Sequence, residues 1–191
     1  LEKSQKELEK NQKLLDELKK LNDKISKEEF FEKMDKFKQN SKNQKKSLEQ
    51  LLELTKRYYV EKKAEQIADK LDKLSEKQDK LSESQKDNNA EKQDDINKEF
   101  DKIQEELNNL EKDNKELKSP MDLPKTDEKE KSIDEDLKGA KDQLQKQQQD
   151  KAKPKQKSAS KKMKQMSAQM MEMMASGDME QMDEDVAMLR Q

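Results

Sequence analysis

Cysteine, histidine and tryptophan are all missing from this chain of 191 residues. Without cysteine there is no disulfide and no thiolate, and without cysteine or histidine the ordinary zinc sets and the Ser/His and Cys/His nucleophile pairs are excluded. Two glycines, Gly139 and Gly177, cannot form a phosphate-cradling loop of the P-loop or dinucleotide kind. No run of 18 or more apolar residues occurs, so no helix of this sequence can cross a bilayer, and the opening LEKSQKELEK lacks the apolar stretch of a signal peptide. Hydrophobic residues make up 28% and aromatics 3%, too little for a thick core.

What is abundant is charge, at 46% of residues, yet the net charge is only -2. Leu, Ile, Val and Phe number 31 of 191, a proportion typical of disorder when net charge is large. Here Lys and Glu are interspersed and prolines number only three, the composition of long helices and coiled coils. The expected class is therefore all-α: elongated helices with an antiparallel coiled-coil hairpin, a partly disordered linker and a short Met-rich helical hairpin. The chain starts at Leu1 and its apolar stripe is still running at Leu189, so it reads as a piece of something longer.

Residues 1–118 form the helical, coiled-coil region. Leu14, Leu18, Leu21 and Ile25 share one helix stripe. Ser26 with Glu29 makes a capping box, with Ile25 and Phe30 as its staple, starting a helix whose face is Phe30, Met34 and Phe37. Residues 39–46 read as a break, after which Leu48, Leu51, Leu52 and Tyr58 resume. Val60, Ala64, Ile67, Leu71, Leu74, Gln78 and Leu81 then follow a strict four-three rhythm, the seam of a coiled coil. The rhythm lapses and returns out of phase at Ile96, Phe100, Ile103, Leu107, Leu110, Asn114 and Leu117. A fold-back near residues 87–90, with Asn88 capping the second helix, would set Leu81 opposite Ile96, Leu74 opposite Ile103, Ile67 opposite Leu110 and Val60 opposite Leu117. The alternative is one unbroken helix with a phase skip in a multi-chain bundle.

Residues 119–161 read as a polar linker. Pro120 and Pro124 end the preceding helix. Ser132 and Glu135 form a capping box over Ile133, Leu137, Ala140 and Leu144, a marginal helix of residues 133–149 unless something covers it. The following QKQQQDKAKPKQKSASKK reads as low-complexity linker. Its tract Lys151 to Lys164 carries seven lysines and no acid, while residues 172–191 carry six acids. With no aromatic to stack bases, the lysines read as a solvated stretch attracted to its acidic neighbour, and no nucleic acid is expected as partner.

Residues 162–191 hold the methionines. Met163, Met166, Met170 and Met173 line one helix side, widened by Met171 and Met174. Ser176-Gly177 reads as a stop, and Asp178 with Gln181 as a new cap before Met179, Met182, Val186 and Leu189, giving helix-turn-helix. Thioethers so spaced could hold Cu(I); flexible methionines suit a groove for an apolar partner helix; or the face simply packs against sequence beyond Gln191. Met163, Met166, Met170, Met173, Met174, Met179 and Met182 are the candidate partner-binding residues. Paired carboxylates such as Asp94-Asp95 and Glu105-Glu106 lie on a charged helix surface with no dry pocket to raise a pKa, so no enzyme, cofactor or metal site is read.

Three stretches, LLELTKRYYVEKKAEQIADKLDKLSEKQDKL, INKEFDKIQEELNNLEKDNKELKSPMDLP and MKQMSAQMMEMMASGDMEQMDEDVAMLRQ, resemble consecutive parts of a family of large Bacteroidetes proteins. The family has N-terminal membrane helices followed by charged coiled-coil segments, is a domain of unknown function, and sometimes carries an ATPase label. The resemblance implies a fragment of a membrane-anchored envelope protein, on its periplasmic side, and transfers no catalytic residue. The ATPase label has no nucleotide-binding loop here to support it. The expected role is mechanical or interactive, a spacer and assembly element whose partners are protein helices of its own or another chain.

Overall fold

The computed structural model describes the backbone of residues 44–189 and the side chains of residues 53 and 55–176. The expected stripes and caps between Leu14 and Phe37, the side chains of Leu48, Leu51 and Leu52, and those of Met179, Met182, Val186 and Leu189 lie outside the described residues. The fold is all-α, with no strand among the described residues. Four helices follow in order: α1 Gln44–Glu83, α2 Ala90–Lys115, α3 Asp127–Gln145 and α4 Gln149–Leu189.

The chain divides into two compact units. The described part of the first comprises α1 up to Lys62 and residues 113–120. Tyr59, Val60 and Leu117 are buried, and the Lys118 N–H donates to Glu53 Oε1 at 2.6 Å. Lys62 lies 5.8 Å from the centre of the Tyr58 ring, within cation–π range. The end of α2 tightens as Glu116 and Leu117 donate backbone bonds three residues back, satisfying carbonyls that the helix end leaves open.

The second unit, residues 63–112 and 121–191, is an up-down-up-down four-helix bundle. Lys70 bonds Glu106 and Lys77 bonds Glu99, so seven residues onward in α1 are answered by seven residues back in α2. That is the antiparallel hairpin, and its register sets Leu74 against Ile103 and Leu81 against Ile96, as the seam spacing requires. It also disposes of the unbroken helix. Lys141 of α3 reaches Asp94 of α2, Ser158 and Lys162 of α4 reach Asp136 of α3, and Ser160 and Ser167 of α4 donate to the carbonyls of Ser75 and Ala68 in α1. Each helix is thus antiparallel to its two neighbours around a closed ring.

One stripe per helix fills the centre. Ile67, Leu71, Leu74 and Leu81 of α1 and Ile96, Phe100, Ile103, Leu107 and Leu110 of α2 are buried, with Phe100 wholly enclosed. To these α3 adds Ile133, Leu137, Ala140 and Leu144, and α4 adds Ala152, Ala159, Met163, Met166 and Met170. Each large apolar side chain buried in this way contributes about 1.5–3 kcal/mol, while lysine and glutamate occupy the outer faces.

The structure corrects the reading of residues 87–177 in four places. The hairpin turn spans residues 84–89, and the α2 cap is Asn89, whose Oδ1 accepts from the Lys92 N–H at 3.0 Å; Asn88 turns inward instead. The third helix is α3, Asp127–Gln145, not 133–149. Ser132 and Glu135 lie inside it rather than at its cap, because Asp127, Glu128 and Glu130 already supply the negative first turn that a helix dipole favours. The glutamine- and lysine-rich stretch is no linker, since all but its first residues belong to α4, with Pro154 on an exposed face of the second turn. Finally, α4 passes through Ser176-Gly177 without a stop, so the methionines sit on one helix rather than two.

The turn between α3 and α4 closes without glycine. Gln147 takes a left-handed φ of 57°, its N–H bonds the Leu144 carbonyl, and the Gln148 N–H bonds the Gln143 carbonyl, the paired bonds of a Schellman end. A side chain in that conformation costs about 1–2 kcal/mol. Gln147→Gly is therefore expected to stabilise the chain by about 1 kcal/mol in urea denaturation, after allowing for the extra chain entropy of glycine; a loss of stability would contradict this geometry.

Candidate functional site

The methionine face does not stand open to partners along its whole length. Met163, Met166 and Met170 are at most 1% exposed, on the inward stripe of α4. Met173 and Met174 are half-buried, and Met171, at 43% exposed, is the large apolar side chain most open to solvent among the described residues. Met173 borders a shallow surface cleft with Pro124, Lys125, Lys129, Gln169, Glu172 and Ser176. A second cleft of about 60 Å³ lies at the same end, between Leu107, Leu110, Leu123 and Met170, with Glu130 on its wall. Burial holds the Glu130 carboxyl above its usual range, against the bond from Thr126 that lowers it.

At the other end of the bundle the core is polar. Gln78 of α1, Gln93 of α2, Gln156 of α4 and Asn88 of the hairpin turn are all buried, none more than 4% exposed. Gln78 and Gln93 exchange amide bonds in both directions, Nε2 to Oε1 at 3.1 and 2.7 Å. Gln156 and Asn88 do the same at 2.7 and 3.0 Å. Gln156 Nε2 also donates to Gln93 Oε1 at 2.7 Å, and Gln93 Nε2 to Asn97 Oδ1 at 3.0 Å. Gln93 thereby uses both amide hydrogens and both carbonyl lone pairs, the full capacity of a glutamine. Gln149 Nε2 completes the end by donating to the Asn88 carbonyl at 2.9 Å.

Two carboxylates, exposed Glu83 and half-buried Asp94, clamp the helices around this cluster. Glu83 lies 2.7 Å from Lys153 and 2.5 Å from Lys157, which together hold its carboxyl down from 4.5 to about 2. Asp94, bonded by Lys141 and then Lys98, is likewise lowered to about 2. Because the folded Glu83 keeps its charge to lower pH than the unfolded one, its contribution is fully present above pH 4.5 and is lost as pH falls through about 2. A carboxyl-carbon NMR titration should place its midpoint near 2, and Lys153→Ala/Lys157→Ala should return it toward 4.5. A midpoint near the ordinary value in the parent would refute the clamp.

The seam residues Val60, Ile67, Leu71, Leu74, Leu81, Ile96, Phe100, Ile103, Leu107, Leu110 and Leu117 are all buried. Sequence reasoning missed the amide cluster, although Gln78 stood in the seam rhythm and Gln156 occupies the equivalent place between Ala152 and Ala159. Among the described residues, no group of three or more His, Cys, Asp or Glu side chains is placed to hold a metal ion, and no helix is long and apolar enough to cross a membrane. Comparison with protein-family models, with curated proteins and with solved structures finds no match to this chain.

Proposed function

We propose that this chain is a structural and interaction segment of a larger, membrane-anchored bacterial cell-envelope protein, of the Bacteroidetes coiled-coil kind that its sequence resembles, and that it catalyses no reaction. The observation that carries the reading is how the apolar residues are spent: the stripes of all four helices of the bundle face one another and leave a surface of lysine, glutamate and aspartate. Such a body supports, separates or docks; one of the two clefts beside the methionines holds only about 60 Å³, and the other, of about 510 Å³, is a shallow surface hollow that shelters nothing from water. In the parent protein, exchanging residues 63–112 and 121–176 for the helices of an unrelated antiparallel four-helix bundle of equal length, with residues 113–120 kept, should leave envelope fractionation and cellular role unchanged. Loss of that role with the exchanged protein present at normal level would sink the structural reading in favour of a specific activity.

A second reading keeps the methionines as a docking edge for an apolar partner helix or Cu(I). The exposed Met171, beside half-buried Met173 and Met174, favours the helix. Cu(I) added under reducing conditions should leave the methyl signals of Met163, Met166 and Met170 unmoved, because reaching them requires opening the bundle; shifts at all three would support the metal.

A further inference from the structure

Most of the contacts that align these helices recur every seven residues. Sliding α2 along α1 by one heptad would bring Lys70 to Glu99 or Lys77 to Glu106, and a pair would still form. Sliding α4 along α1 would offer Ser160 the Ala68 carbonyl or Ser167 the Ser75 carbonyl, so one of the two bonds would still form. The buried stripes exchange leucine for isoleucine or methionine, which a core tolerates well. The ion pairs of Glu83 and Asp94 would be lost as well, but pairs at the surface discriminate weakly. The hairpin turn, residues 84–89, holds neither glycine nor proline to pin its position. The amide cluster is different in kind: it occurs once, and a slip would set Gln78 against Phe100 in one direction or Gln93 against Leu71 in the other, with donors and acceptors stranded away from water.

We infer that the cluster of Gln78, Asn88, Gln93 and Gln156 is the register lock of the bundle. It selects one axial alignment of three helices from a set that the heptad pattern leaves nearly equivalent. Single buried polar residues fix alignment in coiled coils by the same physics, and here four amides act together across α1, α2, α4 and the turn.

Since the chain has no cysteine, nitroxide labels attach only where thiols are introduced. Asp69→Cys and Glu91→Cys place them at exposed sites well separated along α1 and α2. A slip of one heptad changes their axial offset by about 10 Å. Electron spin–spin distance measurement on the parent should give one distance. In the variant Gln78→Leu/Asn88→Ala/Gln93→Leu/Gln156→Leu, a second population displaced by about 10 Å should rise above roughly a tenth of the molecules, with helicity retained. A single unchanged distance in the helical variant overturns the lock. If the fourfold variant does not fold, the same measurement on Gln78→Leu/Gln93→Leu decides: a second distance upholds the lock, and a single distance refutes it.

Discussion

Phe100→Ala is expected to remove about 3–5 kcal/mol of stability, the usual cost of emptying a fully enclosed phenylalanine site. Phe100 has no exposed surface and is the largest of the fully buried side chains. Around it the core is one stripe thick, built of leucine, isoleucine, alanine and methionine, so collapse into the void would have to draw in whole helices. Domains of this kind are stable by about 5–15 kcal/mol, so the loss would consume much of the total. Urea denaturation followed by far-ultraviolet circular dichroism measures it directly. A cost below about 1 kcal/mol would mean that the α2 stripe does not face the centre.

Gln93→Leu should be nearly as damaging, by a different route. The substitution conserves bulk but strands the Gln78 amide group and one Gln156 hydrogen in a place without water. Each buried group left without a partner costs about 1–3 kcal/mol. Replacing the partners by apolar groups as well is expected to recover most of the loss, because the penalty belongs to the stranded groups and not to the missing bonds. Denaturation of Gln93→Leu beside Gln78→Leu/Asn88→Ala/Gln93→Leu/Gln156→Leu, which leaves no member of the cluster stranded, reads this contrast. A fourfold variant weaker than the single one would show that the amides contribute net stability.

The parts of the fold that were readable are those where large side chains mark the seam. Val60 to Leu81 and Ile96 to Leu117 alternate steps of four and three with leucine, isoleucine and phenylalanine, and that spacing fixes which faces meet. In α4 the same rhythm is carried by Ala152, Gln156 and Ala159 before Met163, so its first half looks like polar filler. Alanine and a fully paired amide bury well but give no hydrophobic signal. The marginal appearance of α3 has the same origin: its four apolar residues suffice once α4 covers them. Gln147 could not have been foreseen as a left-handed end, since glutamine has no special preference for that conformation. At Gly177 the expected stop failed because an interior glycine costs a helix only about 1 kcal/mol, too little to end it by itself. Asn88 and Asn89 are chemically alike, and only the packing of α4 against the turn decides which caps and which is buried.

The closed ring of four antiparallel helices puts the entry of α1 at Lys63 and the exit of α4 beyond Met170 at the same pole of the bundle. Tension along the polypeptide would therefore load the α1–α4 contact end-on, opening Ser167 from Ala68 first and Ser160 from Ser75 next, with the amides yielding last. Such a body peels one rung at a time instead of resisting in shear, and once opened it pays out slack at roughly 3.3–3.6 Å per residue.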